Sequence, residues 1–315
     1  MHGVTYSIVI PAFNEEAVII EGHKRLKAVM DTCKENYELI FVNDGSQDKS
    51  VELIKEICKQ DHCSRMVSFS RNFGHQTAIT AGMAYASGEA VIVIDADLQD
   101  PPEVILDMIA KWQEGYEVVY GKRLKREGET FFKRVTAKIF YRMLNLLTDM
   151  EIPVDAGDFR LLDKKVCEAL KSLPERNRYV RGLVSWVGFR QTSVEYIREE
   201  RFAGETKYPL RKMLHFAADG ITSFSHKPLK LSIFFGSTMS FFSFLYMIIV
   251  ICQKLFTHAV ISGWASTMAV ILFFNGVTLI MLGIIGEYIG RIYDEAKARP
   301  LYIVGETVGF DDDKC

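Results

Sequence analysis

The stretch Ala90 to Pro102, AVIVIDADLQDPP, decides the fold. Val91, Ile92, Val93 and Ile94 form an apolar run without alternation, which predicts a strand buried on both faces of a parallel sheet. The run stops at three carboxylates, Asp95, Asp97 and Asp100. Ligands of open α/β sheets bind at the carboxyl ends of strands, so these side chains are placed to hold a metal on a phosphate-bearing substrate. The plainer reading is a polar loop that opens a helix at Pro101 and Pro102, since proline suits a helix's first turn.

The neighbouring sequence repeats the pattern. Tyr6 to Ile10 reads as a strand ended by Pro11, and Ala12-Phe13-Asn14-Glu15-Glu16 starts a helix whose acidic first turn suits the helix dipole. Glu38 to Val42 is a second strand, ending in Asn43-Asp44-Gly45-Ser46, where Gly45 permits the turn. Arg65 to Phe69 is a third, running into Ser70-Arg71-Asn72-Phe73-Gly74-His75-Gln76 and a small-residue helix, Thr77 to Ala86. A helix near Glu103 to Glu114 and a strand at Glu117 to Tyr120 follow. Strands alternating with helices predict a mostly parallel, doubly wound sheet with Asp44, Asp95 and Asp97 on one edge. The dinucleotide fingerprint G-x-G-x-x-G is absent after the first strand, and so is the P-loop pattern. A metal on the Asp pair is then the available way to hold phosphate.

A net charge of -2 over 315 residues argues against a general nucleic-acid-binding surface. The six cysteines are scattered, and Cys58, His62 and Cys63 lack a second cluster to complete a zinc site. MHGVTYSIVIPAF passes straight into a strand without the basic flank of a signal peptide, which predicts a cytoplasmic amino-terminal part.

Lys122 to Arg142 holds eight Lys or Arg against two Glu, interleaved with aromatic residues, a pattern that suits an anionic membrane surface as well as a solvated face. PVDAGDFRLL, Pro153 to Leu162, is another acidic turn running into an apolar segment. Arg176 to Trp186 reads as an amphipathic helix, Arg190 to Tyr196 as a strand, and Arg198 to Tyr208 as a polar loop of the kind that forms lids. Leu210 to Phe224 is amphipathic and predicts a helix lying in the interface. Ile233 to Cys252 is twenty residues without a charge, and Trp264 to Gly286 is twenty-three more. Each is long enough to span a membrane, and the positions of Lys227, Lys230, Arg291, Lys297 and Arg299 predict that both chain ends are cytoplasmic. Gly236-x-x-x-Ser240 and Gly286-x-x-x-Gly290 would let helices approach closely, within a subunit or between subunits. Pro300 to Val304 reads as a strand joining a neighbouring subunit, so a homo-oligomer is expected. The domain organisation that follows is a cytoplasmic α/β domain, 1–206; an interfacial helix, 207–230; a two-helix transmembrane domain, 231–290; and a cytoplasmic tail, 291–315.

SIVIPAFNEE, FVNDGSQDKS, SRNFGHQTAITAGMAYASGE, DADLQDPPE and DAGDFRLL, in that order, resemble a family 2 glycosyltransferase of the GT-A fold, in the polyisoprenyl-phosphate branch. Similar proteins are the dolichol-phosphate mannose synthases and, closer because of the two carboxy-terminal spans, the bactoprenol-phosphate glucosyltransferases. The resemblance implies a membrane-bound, metal-dependent enzyme that moves one hexose from a nucleotide-sugar to a polyprenyl phosphate such as undecaprenyl phosphate, with inversion, for cell-envelope glycosylation. UDP-glucose is the favoured donor, with UDP-N-acetylglucosamine or GDP-mannose as alternatives; a non-catalytic nucleotide-sugar-binding scaffold is the rival of another class. A Q-x-x-R-W motif is missing, which favours single-sugar transfer.

By the same resemblance, Pro11, Ala12, Asn14 or Glu15 and Asp44 would hold the nucleoside. Asp95 and Asp97 would take Mg²⁺ or Mn²⁺, with Asp95 nearer the ribose and Gln99 assisting. Asp158 would be the catalytic base, with Asp155 its rival. Arg123, Arg134, Arg201 and Lys207 would grip the acceptor phosphate. A phosphate monoester has a second pKa of about 6, so the acceptor hardly needs deprotonation at pH 7. Asp158 is therefore expected to orient more than to remove a proton.

Overall fold

A computed structural model describes residues 4–124, 156–173, 175–176, 178–198, 227–257 and 263–310. Asp155, Arg134, Arg201 and Lys207 lie outside the described residues, as do the interfacial helix expected at Leu210 to Phe224 and all of the loop after Arg198.

The elements run β1 (Tyr6–Ala12), α1 (Ile19–Met30), β2 (Tyr37–Asn43), α2 (Ser50–Gln60), β3 (Ser64–Phe69), α3 (His75–Tyr85), β4 (Ala90–Val93), α4 (Val104–Gln113) and β5 (Val118–Arg123). Then come β6 (Ala156–Asp163), α5 (Lys164–Ser172), α6 (Val180–Trp186), β7 (Gln191–Tyr196), α7 (Lys227–Thr257), α8 (Trp264–Ala296) and β8 (Val304–Val308). One sheet orders its strands β7-β5-β6-β4-β1-β2-β3-β8. β1, β2, β3 and β4 are mutually parallel, β7 runs parallel to β5, and β6 enters antiparallel between β4 and β5.

The unbroken apolar run follows from cover on both faces. Ile92 joins a core made with α1, α2 and α4, whereas Val91 and Val93 join a second core made with α3, α5 and α6. Each such side chain taken fully out of water contributes about 1.5 to 3 kcal/mol. α3 lies close on β1: a Cβ at Gly82 would stand 2.1 Å from Val9 Cγ1, which excludes any larger residue without repacking.

The apolar segment expected after the acidic turn is strand β6, which lies inside the sheet between β4 and β5, with Phe159 and Leu161 in one core and Leu162 in the other. One expectation of the fold changes, the partner of the tail strand. The tail strand pairs antiparallel with the chain's own β3 rather than with a neighbouring subunit. α8 returns the chain to this edge, where the Arg176 N–H donates to Glu295 Oε1 at 2.7 Å and Tyr302 stacks on Phe69 at 5.0 Å, and the open edge of β3 is covered.

Both stretches expected to span lie in long helices. α7 and α8 are helices of 31 and 33 residues. Among the described residues one segment, Phe273–Ala296, is long and apolar enough to cross a membrane, and none of its most apolar window is buried. Among the described residues a second, shorter apolar stretch is Ser232–Tyr246 of α7. The two helices meet at Gly236, where a Cβ would lie 3.6 Å from Met281 Sδ, while Gly286 and Gly290 face open space.

Candidate active site

The site is built where the carboxyl ends of β1, β2 and β4 meet the start of antiparallel β6. The first two turns are locked reciprocally. Asn14, at φ +56°, donates its N–H to Ser46 Oγ at 3.0 Å, and its Oδ1 accepts from the Gln47 N–H at 2.8 Å. The Glu15 N–H donates to Ser50 Oγ at 2.9 Å, the Glu16 N–H donates to Asp48 Oδ2 at 3.1 Å, and Glu16 Oε2 accepts the Lys49 N–H at 3.0 Å. Asn tolerates that left-handed backbone because its short side chain bonds locally. Pro11 and Ala12 are buried within β1, beside this lock.

Asp44 is buried, and its carboxylate accepts the N–H of Phe73 at 2.7 Å and of Gly74 at 3.0 Å. Burial outweighs these donors and holds the carboxyl above its ordinary range. The residue expected to receive a nucleoside thus also shapes the loop between β3 and α3. Gly45 completes the corner: at φ +71° it has the Arg71 backbone carbonyl carbon 2.4 Å from where a Cβ would be.

Asp95 and Asp97 emerge from β4 as expected. Asp97 Oδ1 accepts the Gln99 N–H at 3.1 Å. Asp95 Oδ1 is a buried atom without a hydrogen bond. Burial first, then the charges of Asp158, Asp100 and Asp97, push Asp95 up to about 6 against the pull of His75. Among the described residues no group of three or more His, Cys, Asp or Glu is gathered that could hold a metal ion. Mg²⁺ is commonly held by one or two carboxylates together with substrate phosphates, so an orphaned buried carboxylate oxygen beside Asp97 fits such an ion. Asp100, the third carboxylate, is instead taken inside the fold, accepting from Tyr196 OH at 2.5 Å and from Arg123 Nη2 at 3.3 Å.

That pairing revises the place of Arg123. Expected to grip phosphate, it is held between Asp100 and Tyr196 OH and packed against Gly157, because the mixed sheet brings β5 and β7 under the Asp100 loop. Arg198 stands nearer the mouth, its Nη2 4.0 Å from Asp97 Oδ2 and its Nε 3.8 Å from Asp100 Oδ1.

Asp158 is buried at the start of β6. It receives a bidentate pair from Arg181, Nε to Oδ1 at 2.8 Å and Nη2 to Oδ2 at 3.0 Å, and a third bond from Gln76 Nε2 at 3.2 Å. Burial opposes its charge, but Arg181 and the His75 hydrogen bond hold the carboxyl well below the usual carboxylate range. His75 is pushed up to about 9: burial works against the charged ring, and Asp158 and Asp95 prevail. Arg181, Gln76 and Arg198 are the site-facing residues that sequence reasoning passed over. Gln76 lies on the first turn of α3, and nothing in the spacing of α6 marks Arg181.

The strand order and this carboxylate-bearing edge define a GT-A-like α/β transferase domain. Residues 7–171 match the family described as Glycosyl transferase family 2, and residues 227–292 match the GtrB C-terminal hairpin. The chain belongs to glycosyl transferase family 2. It is 63% identical over 308 residues to the uncharacterized glycosyltransferase YkcC of Bacillus subtilis (strain 168), covering 98% of this chain and 95% of that one. It is 43% identical over 298 residues to the bactoprenol glucosyl transferase of Shigella phage SfV, covering 95% and 97%. Among solved structures, glucosyl-3-phosphoglycerate synthase from Mycobacterium tuberculosis aligns at 22% identity over 70% of this chain and 78% of that one, with a TM-score of 0.48.

Proposed function

We propose that this glycosyltransferase moves one hexose, glucose from UDP-glucose, to a polyprenyl phosphate in the membrane, with inversion at the anomeric carbon. The observation that carries the reading is the match to bactoprenol glucosyl transferases over 95% of the chain, which takes in the α/β domain and the hairpin together. A soluble anionic donor and a lipid acceptor need both parts. The spacing of uncharged residues supports two membrane spans, α7 and α8, with the α/β domain on the cytoplasmic side.

In this reading the nucleoside lies against Pro11, Ala12, Asn14 or Glu15 and the loop that Asp44 shapes. Asp95 and Asp97 would hold Mg²⁺ or Mn²⁺, which neutralises charge on the departing diphosphate as a Lewis acid. Asp158 stays ionised beside Arg181 and orients the acceptor or the sugar; Asp155 is its rival for that role. The acceptor phosphate attacks the anomeric carbon as a dianion, the C–O bond to the diphosphate breaks, and no protein base is required. Arg198, with Arg134, Arg201 and Lys207, meets the phosphates; guanidinium groups do so by bidentate hydrogen bonds.

The test is transfer of label from a panel of UDP- and GDP-sugars to undecaprenyl phosphate by detergent-purified protein, with Mn²⁺, with Mg²⁺ and with chelator. Lipid-linked label from UDP-glucose, lost with chelator, is the expected result. Label from another sugar replaces the donor, and binding of a nucleotide-sugar without any transfer replaces the enzyme by a scaffold.

A further inference from the structure

The transfer reading leaves His75 without a role, yet its position is specific. Its Nε2 lies 3.3 Å from Asp95 Oδ1 and 3.4 Å from Asp158 Oδ2. A lone pair facing two carboxylates would be repelled, so Nε2 carries the proton. Asp158 receives the hydrogen bond, and Asp95 Oδ1 keeps a charge partner while accepting no hydrogen bond. The ring is not core filling, since 43% of its side chain is exposed at the site.

The remaining donors around Asp158 come from separate elements. Gln76 follows His75 on the first turn of α3; its Nε2 donates to Asp158 and its Oε1 accepts the Val180 N–H at 2.9 Å. Val180 precedes Arg181, which supplies the bidentate pair. α3, α6 and β6 are thereby tied at one carboxylate, and among the described residues His75 extends the tie to Asp95, just beyond β4. Asp158 Oδ2 is surrounded by three donors and Oδ1 takes a fourth, an arrangement suited to a fixed acceptor and unsuited to a group that must collect a proton.

We propose that His75 is a positioning residue that sets the spacing between Asp95, on the donor side, and Asp158, on the acceptor side, while Arg181 and Gln76 hold Asp158 as a hydrogen-bond acceptor. The inference rests on the transfer reading above. It concerns geometry at the reacting centre: small displacements of positioned groups are felt in the rate of the chemical step more than in ground-state binding.

The test compares His75→Ala and His75→Gln in the full-length detergent-purified protein, alone and with Asp158→Asn. The readouts are kcat and KM for lipid-linked transfer, equilibrium binding of UDP, and Tm. His75→Ala is expected to lower kcat on the order of 100-fold, with UDP affinity changed by less than about threefold. Gln carries an N–H that reaches the same two carboxylates and is expected to restore kcat to within about tenfold of wild type. In the Asp158→Asn background, removing His75 should cost far less than it does alone, because the two act as one unit.

An unchanged kcat in His75→Ala overturns the inference, as does His75→Gln behaving like His75→Ala. Loss of UDP binding together with a fallen Tm in His75→Ala also overturns it, by showing a role in holding the fold. Wild-type protein that binds UDP and transfers nothing overturns the underlying reading instead, an outcome distinct from all of these.

Discussion

Glu38 and Asp95 are two carboxylates of one sheet that differ in how many hydrogen bonds they accept. Glu38 stands near the amino-terminal edge of the parallel strands, fully buried. Its Oε1 accepts from Ser7 Oγ at 2.5 Å, from the Ser87 N–H at 2.8 Å and from Ser87 Oγ at 2.7 Å, and its Oε2 meets Arg65 Nη1 at 2.7 Å. Asp95 stands at the carboxyl edge with a buried oxygen that accepts no hydrogen bond. Burying a charge is tolerable when partners replace water: Glu38 Oε1 takes three hydrogen bonds, and its Oε2, which like Asp95 Oδ1 accepts no hydrogen bond, has the Arg65 guanidinium closer than Asp95 Oδ1 has His75, 2.7 Å against 3.3 Å. On the proposed reading, the carboxylate short of hydrogen bonds at a strand's carboxyl end is the one that would meet a ligand. If that reading holds, the number of hydrogen bonds accepted, more than burial, distinguishes the carboxylate of the fold from that of the site.

Breaking each side of this contrast should give opposite readouts. The largest effect is expected at the site: Asp97→Ala should lower sugar transfer on the order of 1000-fold or more, with Tm essentially unchanged in a thermal melt. Loss of Tm comparable to that of a core mutant would place Asp97 on the structural side of the comparison. Glu38→Ala should do the reverse. It leaves Arg65 without its counter-charge, and the expected cost is about 3 kcal/mol or more of stability, read by denaturant unfolding of the detergent-solubilised protein. Transfer per folded molecule should stay near wild type.

The smallest effect sharpens the satisfied end of the scale. Asp61 accepts from His23, Lys27 and Ser64 at 3.0, 2.9 and 2.7 Å. Burial opposes its charge, but the hydrogen bonds of His23, Lys27 and Ser64 hold it down to about 2. Its folded pKa lies below its unfolded value, so its contribution is complete above about pH 4 and is lost as pH falls toward 2. Asp61→Asn should cost about 1 to 2 kcal/mol at pH 7, discounted because Lys27 is more than a third exposed. Unfolding curves of wild type and variant should converge as the pH approaches 2; a constant gap would remove the ionic origin.

Much of the α/β half is legible in the chain because its signals are local. An apolar run, a turn residue and a carboxylate within a dozen positions suffice to read β1, β2 and β4 and to put Asp44, Asp95 and Asp97 on one edge. β6 is harder to read. Its residues follow an acidic turn that looks like another loop, and its antiparallel insertion between β4 and β5 depends on pairing across more than sixty residues of sequence. That insertion is what brings Asp158 to the site.

Arg123 and Arg181 show the same division. Both are basic residues whose sequence context says only that a cation is present. Asp100 and Tyr196 draw Arg123 into the fold, and Asp158 engages Arg181, through contacts that no spacing within β5 or α6 foretells. The tail likewise reads as a strand from its own residues, but which edge it joins depends on where α8 returns the chain.

Local periodicity and turn chemistry, which act over a few residues, therefore determined by sequence alone the strand-helix alternation, the carboxylate edge and the uncharged helices. The partners of each charge were decided by the tertiary structure, because electrostatic and hydrogen-bond pairing depends on distances of a few ångströms between segments far apart in the chain.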